Sequence, residues 1–403
     1  MNGPKGSLAL NASRVLLVTQ GMTRFPSFPI TSISAAMLLI AALPPTALSA
    51  QAPSTAQFER AVAYASRTDG EVVLVMYRGR VIHERYIAGG SASKTMMLAS
   101  GSKSFVGVGT IAAVADGLLR LDAPVAELLP DWKSDPRKSR VTVRQLLSLE
   151  SGIETGNPGT GCGGPRSTWA DAVAAPALAE PGTLFRYGPY PFVAVGAAIE
   201  RVNPRESFAA YLERRVLAPI GVKVEWRMTC SDGKPQLAGG AAMNARDWAT
   251  FGEMIRRGGL HGSTRILPAD LVAQLFRPSS ANPAYGMSWW LRGAAFQTNP
   301  AMGAPGVGAD DSGAGSARGA ARARMLERLK QRAAERRGAS DSGNASMRAT
   351  NADWLPRDLV MAAGAGKQRL YLMPSQELVI VRMGPVRGGR AFKDDEFLAA
   401  LLR

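Results

Sequence analysis

The chain has 403 residues, of which 46% are hydrophobic and 20% are charged. This composition is typical of a globular protein with a sizeable core and excludes a largely disordered chain. The formal net charge of +16 would suit nucleic acid, but the basic residues are mostly scattered arginines, so we expect no nucleic-acid partner. Only residues 318–337 concentrate the charge, and they predict a solvated basic helix.

Residues 1–50 are predicted to be a signal peptide outside the fold. After Met22 a basic residue, an apolar run and small residues near Ala47 follow in the order of a secretory signal. Because a signal of ordinary length begins at Met22, that residue is an alternative start of the chain, which N-terminal sequencing would test. We therefore expect an exported protein, periplasmic or secreted. The apolar run is short for a membrane span, so no permanent anchor is expected after cleavage; an uncleaved signal anchor is the alternative.

The two cysteines, Cys162 and Cys230, can form one disulfide in an exported protein. Their spacing does not fit a metal site. The sequence also lacks a His-x-x-x-His pair and a Gly-rich phosphate loop, so we predict neither a metal nor a cofactor.

The predicted elements begin with a helix over 55–67 and a β-hairpin over 71–86, whose two β-rich runs flank an Arg-Gly turn. An apolar helix follows Ser100. Further helical patterns occupy 141–153, 167–175, 191–202, 205–217 and 244–258.

The last third of the chain begins with a low-complexity stretch, about 300–350, that we interpret as a flexible basic insertion. Strands return at 358–364, 368–374 and 377–384, before a helix over 393–403. Strands at both ends with helices between them predict an α+β fold. In this fold one domain, 51–403, has an antiparallel sheet flanked by helices and an inserted, mostly helical region.

The stretch "MLASGSKSFVGVG" (97–109) places Ser100 and Lys103 three residues apart at the head of that apolar helix. Side chains at i and i+3 share a helix face, so the two are expected to be neighbours. A buried lysine has a lowered pKa and can accept the proton of a nearby hydroxyl, which makes the serine a nucleophile. The alternative is a helix-capping serine followed by a solvated lysine.

Two other Ser-x-x-Lys matches, at Ser91 and Ser231, lie in Gly-rich or polar surroundings and are interpreted as loops. A Ser-His-Asp triad is not favoured, because the two histidines, His83 and His261, have no motif around them. The Gly-x-Ser-x-Gly nucleophile elbow does not occur. We interpret the aromatic pairs Trp289/Trp290 and Tyr187/Tyr190 as core packing; if they line a cleft, they favour an apolar acyl or aryl group.

Over about residues 55–400 the chain resembles the serine β-lactamase and penicillin-binding protein superfamily. It is most similar to the class C-like branch, which includes esterases, D-peptidases and 6-aminohexanoate-dimer hydrolases. The resemblance rests on the hairpin, the closing strands and the segments "SGSK", "LRLDAPVAELLP", "VTVRQLLSLESGI", "LFRYGPYPFVAVGAAIERV", "LAGGAAMNARDWATFGEMIRRGGLHGSTRILP" and "YGMSWW". It implies a β-lactamase/transpeptidase-like fold and an acyl-enzyme mechanism.

By this resemblance Ser100 is the acylated nucleophile, Lys103 its proton partner, and Tyr187 the second-motif tyrosine. A nearby ammonium would lower the pKa of Tyr187, so that its phenolate could take the serine proton. The oxyanion hole would be the backbone N–H groups of Ser100 and Ala365. Gly364 and Gly366 would let the substrate approach the strand backbone; these residues complete the predicted site.

The chain departs from the family in two motifs. Pro189 stands where an Asn is expected, and residues 362–364 replace the basic and hydroxyl residues of the third motif. These losses argue against efficient β-lactam hydrolysis. Lys367 or Arg369 could replace the lost cation, although both are predicted to be solvated strand residues.

We therefore expect an exported serine hydrolase acting on a small ester or amide, with a small-molecule substrate as its partner. The alternatives are a degenerate penicillin-recognising protein with little turnover and a weak class C-like β-lactamase or D-peptidase. Surface adhesion through the basic insertion could accompany any of these. The sequence leaves the oligomeric state open.

Overall fold

A computed structural model describes residues 51–157, 162, 166–292, 354–389 and 391–403. The predicted signal peptide and the alternative start lie outside the described residues, as does the whole of the basic insertion at about 300–350. In chain order the strands are β1 (Val72–Tyr77), β2 (Arg80–Tyr86), β3 (Met96–Met97), β4 (Glu225–Trp226), β5 (Ala241–Met243), β6 (Leu260–His261), β7 (Thr264–Arg265), β8 (Trp290–Leu291), β9 (Val360–Gly364), β10 (Gln368–Met373) and β11 (Leu378–Met383).

The helices are α1 (Thr55–Arg67), α2 (Lys103–Ala115), α3 (Val143–Leu147), α4 (Trp169–Ala174), α5 (Tyr190–Val202), α6 (Phe208–Leu212), α7 (Ala245–Arg256), α8 (Ala269–Gln274) and α9 (Asp394–Leu402). A π-helical turn, Glu213–Leu217, continues α6. Within the described chain, no helix is both apolar and long enough to span a bilayer.

The main sheet is antiparallel and has the strand order β2-β1-β11-β10-β9-β8. Strand β1 pairs with β11, so the predicted hairpin and the closing strands join in one sheet, as the sequence indicated. Residues on both faces of β10 and β11 are buried. This requires a cover on each side: α7 packs on one face, and α1 and α9 pack together on the other.

Helix α2 explains the run of small and apolar residues after Lys103, because it is buried from Lys103 to Ala113. Its glycines allow close neighbours: a Cβ atom at Gly109 would lie 2.7 Å from the Phe208 ring. The helix was predicted to begin near Ser100. Instead, a 3₁₀ turn over Ala99–Ser102 precedes it, and the α-helix proper begins at Lys103.

The helix predicted over 141–153 is shorter than expected and covers only Val143–Leu147. Thr142 caps its start by accepting from the backbone N–H of Gln145. It ends at Ser148 because Leu149 adopts a left-handed backbone conformation with φ 59°. The chain therefore turns here, and the following residues lead towards the site.

Candidate active site

Ser100 and Lys103 meet at the 3₁₀ turn before α2. The Nζ atom of Lys103 donates to the Ser100 hydroxyl oxygen at 3.1 Å and to the carbonyl of Ala238 at 2.9 Å. Lys103 is only 3% exposed, and this burial lowers the pKa of its amine from 10.5 to about 7. Ser100 is half-exposed. The lysine is thus desolvated, while the serine residue retains some exposure to solvent.

The turn that carries Ser100 is fixed from two sides. Ser102 donates to the carbonyl of Ala99 at 2.6 Å and accepts from the backbone N–H of Ala241 at 3.1 Å, which ties the turn to β5. On the other side Gly101 faces the Trp248 ring of α7, where a Cβ atom would come within 3.1 Å of the indole. The nucleophile candidate therefore has little freedom to move.

Tyr187 is the third predicted site residue, and its pKa is shifted in the direction opposite to the prediction. Its phenol hydrogen-bonds with Ser100, while the Lys103 Nζ lies over the ring face, 4.7 Å from the centroid. Burial raises the pKa of Tyr187 to about 12, and the hydrogen bond from Ser100 only partly offsets this. The expected lowering of this pKa is wrong, because the lysine contacts the aromatic face and the phenol is desolvated.

The loop around Tyr187 is held by Thr155 and by aromatic packing. Thr155 donates to the Tyr187 carbonyl at 3.4 Å, and a Cβ atom at Gly188 would lie 2.4 Å from the Thr155 carbonyl oxygen. The Trp290 ring stacks on Tyr187 with centroids 5.7 Å apart. Because Trp290 is 2% exposed, it supports Tyr187 from the core, in agreement with its interpretation as a packing residue.

The end of β9 lies against the same 3₁₀ turn. A Cβ atom at position 364 would lie 2.0 Å from the Leu98 carbonyl oxygen and 3.1 Å from the Gly101 nitrogen, so only glycine fits there. Ala365 follows on the exposed side, and Gly366 has a positive φ of 72°. The structure thus places Gly364 against the nucleophile turn, whereas Gly366 is buried and faces the backbone of Pro385.

Two buried arginines behind β9 were not expected. Arg369 was predicted to be a solvated strand residue, but it is 1% exposed and ion-paired with Asp394; that prediction is wrong. Lys367 is half-buried rather than solvated. Arg382, fully buried on β11, was not singled out at all. The signal in the sequence was a basic residue in each of two apolar strands, together with the acidic start of the last helix.

The two cysteines form a disulfide with Cα atoms 5.8 Å apart. The bond joins Cys162, in the segment before α4, to Cys230, in the bend that leads to Ala238. The Ala238 carbonyl accepts a hydrogen bond from Lys103. The disulfide therefore anchors the start of the segment that runs from Cys230 to the site.

The competing motifs lie elsewhere. Lys94 pairs with Glu71 and Lys234 with Glu200, and both lysines are exposed. His83 stacks on Phe58 in the region of α1 and β2. These observations agree with the interpretation that Ser100 marks the site.

The comparisons with known proteins give the family. The chain matches the Beta-lactamase family over residues 55–383 and belongs to it. A curated relative, the esterase EstB of Burkholderia gladioli, is 28% identical over an aligned length of 215 residues, and the match covers 45% of this chain and 54% of the esterase. The matched region spans about half the length of that relative.

Solved structures share the fold at low sequence identity. A D-stereospecific amidohydrolase from Streptomyces sp. is 17% identical with a TM-score of 0.56, covering 86% of this chain and 97% of its own. EstCE1, described as a hydrolase with promiscuous acyltransferase activity, is 16% identical with a TM-score of 0.60, covering 86% of this chain and 99% of its own. At these identities the likeness concerns the fold, and the predicted β-lactamase/transpeptidase-like architecture is confirmed.

Proposed function

We propose that this protein is an exported serine hydrolase that cleaves a small ester or amide through an acyl-enzyme on Ser100. The observation that carries the proposal is the buried Lys103 amine, 3.1 Å from the Ser100 hydroxyl and with a pKa lowered to about 7. Such an amine is neutral in a large fraction of molecules near neutral pH, where a base is most useful. An esterase and an amidohydrolase among the similar proteins support the substrate class.

In the first step the Ser100 hydroxyl proton moves to the Lys103 amine while the hydroxyl oxygen attacks the substrate carbonyl carbon. A C–O bond forms, and the carbonyl electron pair moves to the oxygen. Backbone N–H groups of Ser100 and Ala365 would stabilise that oxyanion. When the intermediate collapses, the bond to the leaving group breaks, and the leaving group takes the proton from the Lys103 ammonium.

In the second step a water molecule attacks the acyl-enzyme. Lys103 accepts a proton from the water and passes a proton to the Ser100 oxygen as the acid is released, so the free enzyme is restored. Tyr187 remains protonated in this scheme because of its raised pKa. Its phenol orients the Ser100 oxygen and is not the base that the sequence predicted.

The residues next to the site favour a neutral substrate. Ala362 and Ala363 on β9 offer neither a cation nor a hydroxyl group, and Pro189 offers no side-chain amide. A β-lactam carboxylate would therefore lack its usual partners. The same losses favour the second candidate, a protein that is acylated by penicillin but releases it slowly.

The experiment compares turnover of p-nitrophenyl butyrate and of a penicillin by the mature protein. We expect multiple turnovers of the ester, with penicillin hydrolysed far more slowly. Penicillin turnover faster than ester turnover would contradict the proposed substrate class. A penicillin adduct that persists, with no ester turnover, would support the binding protein instead.

Export is a separate part of the proposal and rests on the signal-like pattern after Met22. The test is N-terminal sequencing of the protein recovered outside the cytoplasm of an expressing bacterium. A mature N-terminus near Ala50 is expected. Intact protein kept in the cytoplasm would contradict export while leaving the proposed chemistry unaffected.

A further inference from the structure

Two buried arginines approach the backbone just beyond β9. Arg369 on β10 and Arg382 on β11 are directly paired in the sheet register and are 1% and 0% exposed. The Nη1 atom of Arg369 donates to the carbonyls of Gly364 at 3.3 Å and Gln368 at 3.0 Å. The Nη1 atom of Arg382 donates to the carbonyl of Gly366 at 2.6 Å. Both cations are therefore directed at the turn that ends the strand beside the nucleophile.

Arg369 is kept charged and oriented by the start of α9. Asp394 accepts from Arg369 Nε at 2.6 Å and from Nη2 at 3.2 Å, and it also accepts from the Tyr371 hydroxyl at 2.5 Å. Burial opposes ionisation of Asp394, but the charge and hydrogen bonds of Arg369 hold the pKa of its carboxyl below the usual value. A two-point ion pair of this kind fixes the plane of the guanidinium as well as its position.

The Gly364 carbonyl belongs to the same peptide group as the Ala365 N–H. A peptide group is planar, and in the trans form its C=O and N–H point in opposite directions. A charged donor on the carbonyl therefore fixes where the N–H points and polarises it, since hydrogen bonds in a chain strengthen one another. Gly364 is extended, with φ −132° and ψ 165°, and it contacts the turn that carries Ser100.

We propose that Arg369, held by Asp394, is a positioning residue that orients and polarises the Gly364–Ala365 peptide so that the Ala365 N–H serves as an oxyanion donor. The inference rests on the proposed acyl-enzyme function. In this arrangement Arg369 supports the end of β9 from the face of the sheet that α9 covers. Side chains at positions 362 and 363, which lack the family's polar groups, are then not needed to hold the peptide.

The test compares Arg369→Lys with the matched control Arg256→Lys in the full mature protein. Arg256 forms a similarly buried two-point ion pair with Glu253, at 2.6 and 2.7 Å, near the C-terminal end of α7. The readouts are kcat and KM for p-nitrophenyl butyrate, the melting temperature, and the infrared ester-carbonyl frequency of the enzyme acylated with trans-cinnamoylimidazole. A hydrogen-bonded oxyanion hole lowers that frequency.

For Arg369→Lys we expect kcat to fall by roughly 10-fold or more, since loss of a whole donor costs about 10²–10³. KM should change by less than about threefold, because the peptide acts mainly in the transition state. The carbonyl frequency should rise towards that of a free ester. Arg256→Lys should lower the melting temperature to a similar extent and leave kcat and the frequency unchanged.

The inference is overturned if the wild type is active and the Arg369→Lys variant has the same kcat and the same carbonyl frequency as the wild type. It is also overturned if Arg256→Lys causes the same losses, which would then reflect general loosening. If Arg369→Lys does not fold, Asp394→Asn replaces it, because that change loosens the guanidinium without removing it. Wild type that is never acylated would instead overturn the proposed function on which the inference rests.

Discussion

At the level of single residues, Lys103 and Tyr187 share one buried environment and their pKa values respond to it in opposite directions. Burial favours the neutral form of each group, so it lowers the pKa of Lys103 to about 7 and raises that of Tyr187 to about 12. The amine becomes a base near neutral pH, while the phenol keeps its proton. Lys103 can therefore act as the base, whereas Tyr187 acts through its neutral hydroxyl group.

The first prediction concerns pH. Below about 7 the Lys103 amine is protonated and cannot accept the Ser100 proton, so acylation should be slow; it should rise through pH 7 and then level off while Tyr187 remains protonated. The rate of fluorophosphonate labelling against pH measures this directly. A midpoint near the ordinary lysine value of 10.5 would contradict the assignment of Lys103 as the base.

The second prediction is Tyr187→Phe, which keeps the ring that packs on Trp290 and removes only the hydroxyl. We expect kcat/KM for p-nitrophenyl butyrate to fall by about 10²-fold, because the hydroxyl that orients Ser100 is lost. The melting temperature should change little, and Tyr190→Phe at the start of α5 is the control. Equal activity of the Tyr187→Phe variant and wild type would show that the phenol has no part in the chemistry.

The residue-scale prediction from sequence succeeded where the chemistry is local. Ser100 and Lys103 are three residues apart, and an apolar helix follows them, so their contact and the burial of the lysine could be inferred from the pattern. The pKa of Tyr187 and the burial of Arg369 could not, because they depend on Trp290 and Asp394, which are distant in sequence. Only the tertiary packing brings these groups together.

At the element scale, the end of β9 and the 3₁₀ turn before α2 form a close backbone contact at Gly364. The hairpin and the closing strands were predictable, since β-rich runs and turn residues mark them. The two-residue strand β8 was not, because its pairing with β9 joins residues about 70 positions apart with no local signal. The shortened α3 was missed because Leu149, which adopts the left-handed conformation that ends it, is not a residue type that favours this conformation.

The third prediction is Gly364→Ala. The added methyl would lie 2.0 Å from the Leu98 carbonyl oxygen, so β9 must shift away from Ser100, and we expect a loss of about 1–3 kcal/mol of stability together with most of kcat. Gly252→Ala is the control, because its methyl would meet Leu370 side-chain atoms at 2.7 Å within the core. Differential scanning calorimetry and ester kinetics measure both. Full activity in Gly364→Ala would contradict the close contact.

At the scale of the whole molecule, the N-terminal and C-terminal segments of the described chain join: β1 pairs with β11, and α1 packs against α9. The disulfide links two loops of the helical region. The sequence anticipated the cysteine pair and the joining of the ends.

The fourth prediction is that Cys162→Ser/Cys230→Ser lowers the free energy of unfolding by about 2–4 kcal/mol, as the bond closes a loop of 68 residues. Urea denaturation measures it, with wild type in reductant as the comparison. Unchanged stability would contradict a structural role for the bond.

The central claim, that Lys103 activates Ser100 as a nucleophile, is tested most directly by intact-mass spectrometry and peptide mapping after exposure to a fluorophosphonate. We expect one adduct per chain, mapped to Ser100, absent from Ser100→Ala and formed much more slowly in Lys103→Ala. An adduct on another residue, or labelling of Ser100 that is as fast in Lys103→Ala as in wild type, would contradict it.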